Sequence, residues 1–133
     1  MAPILKYERY VMPSLKMSGS FDFSTEEIDK KVTEISPGNY ALGKINSNKT
    51  FIVQYVGRSD SDVNKELKSC LSRFGISKYK VFKFSFASNA KEAFEKECKN
   101  YHDFGCSDKL QNSIHPARPE GKNYVCPECS IFD

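Results

Sequence analysis

Two groups of side chains in this 133-residue sequence have the types and spacing for chemistry. The first centres on Glu97. Ala90, Ala93, Phe94, Glu97 and Tyr101 recur every three or four residues, so on a helix they share one apolar stripe, while Glu92, Glu95 and Lys96 point elsewhere. A carboxylate on a core-facing stripe is costly unless it is paired, hydrogen-bonded or bound to a cation. Glu97 is therefore the candidate ligand for a magnesium-type ion, its plainer role being a buried partner for a lysine. The second group is Cys126-Pro127-Glu128-Cys129, which has the spacing of half a tetrahedral zinc site presented by one tight turn. No second Cys-x-x-Cys exists, so the remaining ligands would come from His102, Cys106 and His115. His102 and Cys106 lie four apart and can point the same way. A free or redox-active thiol pair is the alternative, and Cys70 and Cys98 read as small core residues.

These side chains need elements to position them. Ser24-Thr25-Glu26-Glu27 reads as a capping box that starts a helix, with Ile28, Val32 and Ile35 on one face and Ser36-Pro37-Gly38 as its stop. Two apolar stretches, 39–45 and 51–56, flank the polar segment 46–50 and predict a β-hairpin. With the turn centred between Ser47 and Asn48, Tyr40 lies directly across from Tyr55 on the same face. Two phenols would then share one site, or form a stabilising cross-strand pair and nothing more.

Val63, Leu67, Leu71 and Phe74 have helical spacing, with a cap among Ser59, Ser61 and Asp62 and a stop at Gly75. Residues 79–86 read as a third strand, and Asn89 with Glu92 caps a second core helix running to about Tyr101. After Phe104, Gly105, Pro116, Pro119, Gly121 and Pro127 punctuate a polar, loop-rich tail. The expected class is α+β with a small, mainly antiparallel sheet. Residues 1–36 form an N-terminal helical extension, 37–104 the core, and 105–133 a tail packed on it, zinc-braced if the cysteines bind metal, all within one domain.

Composition sets outer bounds. A hydrophobic fraction of 39% with 28% charged residues is ordinary for a globular chain. No apolar run approaches the roughly 20 residues that span a bilayer, and the N-terminus lacks a signal-peptide apolar region, so a cytoplasmic protein with no membrane role is expected. The +3 net charge permits nucleic-acid binding without requiring it.

Gly38-Asn39-Tyr40 and Tyr55-Val56-Gly57 are similar to the two tripeptides that name the GIY-YIG nucleases, and the series hairpin, helix, strand and helix bearing Glu97 resembles the core of that family over about half the chain. The resemblance implies an endonuclease that hydrolyses DNA phosphodiesters with one Mg2+ or Mn2+. It implies that Tyr40 deprotonates the attacking water, that Tyr55 orients the phosphate and that Glu97 holds the ion. It also matches a family asparagine to Asn112. Where the family carries an arginine in the helix after the second motif, this chain has Glu66, which reverses the charge, so Arg58 or Lys65 would have to supply the cation. His115 and Arg118 sit in a proline-stiffened loop that can approach the same cleft and contact phosphate, although His115 is as readily a loop brace. DNA is the expected partner, with RNA left open. A second reading, resting on Glu66, is a catalytically silent domain of the same fold, a zinc-braced module that binds nucleic acid or protein.

Overall fold

The computed structural model describes residues 14–133; the remainder of the N-terminal extension lies outside them. Four strands form one antiparallel sheet: β1 (Ser18–Asp22), β2 (Gly38–Ile45), β3 (Phe51–Ser59) and β4 (Val81–Phe86), in the order β1-β4-β2-β3. Four helices complete the α+β fold: α1 (Thr25–Lys31), α2 (Val63–Phe74), α3 (Ala90–Asp103) and the short α4 (Cys106–Lys109). No helix among the described residues is long and apolar enough to cross a membrane.

The helices begin where side chains can satisfy their free amides. Ser24, Asp62 and Asn89 each accept from the backbone N–H three residues on, at 3.2, 3.3 and 2.8 Å. The helix α1 ends sooner than its apolar spacing predicts. Val32 turns out of it and gives its carbonyl to Asn64 at 2.9 Å, so Ile28 and Val32 are buried but Ile35 is 89% exposed. The N-terminal extension also carries a strand that lacks β-branched residues. β1 pairs with β4, placing Phe21 opposite Phe82 and covering what would otherwise be an aromatic sheet edge.

The hairpin register differs from the expected one in two steps. The loop is centred on Asn48, whose N–H, like that of Thr50, is accepted by Asn46 Oδ1 at 2.9 Å. A bulge then leaves Gln54 without a cross-strand partner, because Gly43 pairs with Val53 and Leu42 with Tyr55. Tyr40 consequently faces Gly57, and Tyr55 lies diagonal to it. The two rings still share a face, with centroids 6.5 Å apart and planes 20° from parallel. The bulge is what restores the shared face: turn placement alone would have turned Tyr55 to the opposite side.

One face of the sheet packs on α1 and α2 through Phe23, Ile28, Tyr40, Leu42, Leu67 and Phe82, among others. The opposite face packs Ala41 and Val56 against Tyr101 of α3 and Leu110 of the tail. The free edge of β3 is closed by that tail. Gln111 N–H donates to the carbonyl of bulged Gln54 at 2.7 Å, and the Asn112 amide both accepts from Val56 N–H at 3.0 Å and donates to Val56 C=O at 2.7 Å. Asn112 thus imitates one residue of a fifth strand. Replacing it with alanine leaves two buried backbone groups unpaired, so Asn112→Ala is expected to lower the unfolding free energy by about 2–4 kcal/mol in urea denaturation. A loss below about 0.5 kcal/mol would refute this role.

Candidate functional site

Tyr40 occupies the middle of the sheet with its phenol turned into the α2 layer. It is 1% exposed, donates to Glu66 Oε2 at 3.0 Å and lies 3.2 Å from Cys70 Sγ. Burial, with the Cys70 and Glu66 charges adding to it, holds this phenol well above its ordinary pKa of 10. The role of water-activating base therefore meets the opposite of what it requires: the partner at hand is a carboxylate, and Tyr40 is absent from the lining of the adjoining cleft.

Glu97 sits on the other face of the sheet, as its helical stripe predicts, and is 9% exposed. Its Oε1 accepts from Arg58 Nη1 at 2.7 Å; the Arg58 Nε contacts Asp60 at the same distance and the guanidinium lies 5.2 Å from the Phe94 ring centroid. The bulge makes this pairing possible, because β3 beyond Gln54 directs Val56 and Arg58 toward α3. Burial outweighs the opposing pull of Arg58 and pushes the Glu97 carboxyl up to about 7. A buried carboxyl shifted by desolvation plus one charged partner, at the floor of a cleft, has the marks of a functional group.

That cleft, about 390 Å³, lies where the tail meets the edge of β3. Tyr55, Arg73 and Phe74 form one wall, Glu97 the floor, and the tail from Gln111 to Ala117 the other wall. Arg73 is a cation that the sequence reading missed. It follows Glu66 by two helical turns, so it shares that face of α2, and its Nη2 lies 3.9 Å from Glu66 Oε2. Its charge opposes the burial that raises the Tyr55 phenol. The signal was present in the i, i+7 spacing, but only the packed helix shows that it reaches the cleft. Arg73 thus occupies the place for which Arg58 and Lys65 were considered. Arg58 is committed to Glu97 and Asp60, and Lys65 stands on an exposed face beside Asp62 and Glu66, off the cleft wall.

The tail contacts also fall differently from expectation. Asn112 is buried and spent on the Val56 backbone rather than on nucleic acid. Arg118 stacks on Phe132, 4.6 Å from the ring centroid. His115 lines the cleft yet belongs to a second cluster with His102, Cys126 and Cys129, whose ligand-type atoms all lie within 4.8 Å of one another. This His/Cys group can hold a metal such as zinc. Cys106 is not in it: its Sγ lies 3.4 Å from His102 Nδ1, because α4 turns Cys106 toward that edge of the ring.

The arrangement therefore offers a cleft with one buried carboxyl, one guanidinium and one phenol, braced by a tail that carries a separate ligand cluster. No family model, curated protein or solved structure matches the chain, so its functional reading rests on these residues.

Proposed function

We propose that the chain is a GIY-YIG-like, divalent-cation-dependent endonuclease whose phosphodiester site is the cleft at the edge of β3. The observation that carries this reading is Glu97: a buried carboxylate whose Oε1 is taken by Arg58, leaving Oε2 with no hydrogen-bond partner among the described residues. A single protein carboxylate suits Mg2+ or Mn2+, which keep most of their water shell. When bound there, such an ion would acidify a water and offset charge on the phosphate. Arg73 would neutralise a non-bridging phosphate oxygen, the Tyr55 hydroxyl would donate to another, and Arg58 would hold the Glu97 carboxylate in place. With Tyr40 buried against Glu66, its part is to support Tyr55 from beneath by ring stacking. DNA is the substrate that the resemblance implies, and the same assay with an RNA substrate tests the alternative.

The direct test is nicking of supercoiled plasmid by the purified chain with magnesium or manganese. Tyr55→Phe and Arg73→Ala are each expected to slow nicking about 10- to 1,000-fold. Wild-type rates in both variants would sink the assignment. The Tyr40–Glu66 hydrogen bond favours the second reading, a binding module without catalysis, which predicts salt-sensitive oligonucleotide binding and no metal-dependent cutting. In either case a structural zinc at the His/Cys cluster would brace the tail.

A further inference from the structure

We propose that one zinc ion is held by His102 Nε2, His115 Nε2 and the thiolates of Cys126 and Cys129, and that this ion fixes the tail wall of the Glu97 cleft. Two imidazoles and two thiolates match the donor preference of structural zinc. Bonds of about 2.0–2.3 Å in a tetrahedron set ligand atoms roughly 3.3–3.8 Å apart. The four side chains already come within 4.8 Å, and Cys129 Sγ lies 3.5 Å from His115 Nε2.

The ring environments select the ligating atoms. His115 Nδ1 lies 2.9 Å from Pro116 O, which places the proton on Nδ1 and leaves the Nε2 lone pair facing Cys129. His102 Nδ1 is in contact with Cys106 Sγ, while its Nε2 is buried with no hydrogen-bond partner among the described residues. A buried ring nitrogen without a partner is destabilising, and a metal ion removes that penalty. Cys106 thereby becomes the group that orients His102, not a ligand. Cys98, packed with Cys126 and Phe94 in one apolar cluster, is the competing thiol.

His115 joins the two sites, since it lines the cleft and also belongs to the ligand cluster. The wall is anchored at one end by Gln111 and Asn112 on the β3 edge. From 113 to 117 Pro116 is buried and His115 packs on Tyr101 and Phe132 while Ser113, Ile114 and Ala117 are exposed, so ligation of His115 adds an anchor to these contacts. The ligand set stands apart from the nuclease reading; the importance of the wall for nucleic acid rests on it.

The full chain, purified without chelator, is expected to contain about one zinc per molecule. His115→Ala and Cys129→Ala should lose it, whereas Cys106→Ala and Cys98→Ala should keep it. Should the ligand variants fail to fold, the wild-type protein carries the test: Co2+ substitution should give the charge-transfer absorption of two thiolates on a tetrahedral ion. Removing the metal should speed proteolytic cleavage between Ser113 and Ala117 at least about tenfold. Absence of zinc and of the cobalt spectrum, or zinc loss in Cys106→Ala, would overturn the ligand set. Unchanged cleavage after metal removal would overturn the anchoring of the wall. Zinc-loaded protein that neither binds nor cuts nucleic acid would count against the nuclease reading alone.

Discussion

Glu97→Gln is expected to abolish divalent-cation-dependent cutting, by at least about a hundredfold, while leaving the protein as stable as the wild type or more so. Glutamine keeps an oxygen for Arg58 but cannot offer an anionic ligand to a cation. The stability half follows from titration. The folded carboxyl titrates near 7 against an ordinary 4.5, so between those values the folded chain binds more protons than the unfolded one. The stability linked to the protonated form is fully present below about pH 4.5 and is lost as pH rises through about 7. Above that, holding the ionised group costs on the order of 3 kcal/mol, a cost the glutamine variant avoids. Urea denaturation without added divalent cation should therefore show the two proteins nearly equal at pH 5 and the variant ahead at pH 8. Wild-type cutting by Glu97→Gln would remove the carboxylate from the mechanism. A variant markedly less stable at pH 8 would show that the Arg58 ion pair outweighs burial.

A large stability loss is expected from Gly57→Ala. A Cβ built at Gly57 would stand 2.3 Å from both Cζ and Oη of Tyr40, far inside contact distance. Tyr40 cannot yield, because Glu66 and Cys70 hold its hydroxyl and Tyr55 stacks on its ring. The substitution should cost about 3 kcal/mol or more, measured by chemical denaturation. In a Tyr40→Leu background the clashing atoms are gone and the penalty should shrink by at least about 1 kcal/mol. An equal penalty in both backgrounds would mean that the glycine is required for some other reason. The same contact gives a packing reason for the spacing of the two tripeptides: the glycine of the second makes room for the tyrosine of the first.

Much of this protein was legible from local pattern. The caps at Ser24, Asp62 and Asn89 act on amides three residues away, and the stripe carrying Glu97 repeats within one helix, so neighbouring residues specify both. The α+β class followed from the order of those elements. The Cys126/Cys129 pair was legible for the same reason: its spacing fits one turn of chain. Longer-range pairing was not. β1 lacks the composition of a strand and exists because β4 offers it an edge. The shared face of Tyr40 and Tyr55 was expected from a register that the chain does not adopt; the loop centre and the bulge at Gln54 displace it in two steps, and the carbonyl freed by the bulge is met by Gln111 from the tail.

Site membership divides along the same line. By itself the sequence determined that a carboxylate would sit on a core-facing stripe, and that two thiols would face one point. Only the tertiary structure decided that Arg73 reaches the cleft, that Tyr40 spends its phenol on Glu66, that Asn112 closes an edge, and that His115 rather than Cys106 joins the cysteines. Each of these depends on where segments distant in sequence meet, and that is set by strand pairing and packing across the whole core, which no local spacing encodes.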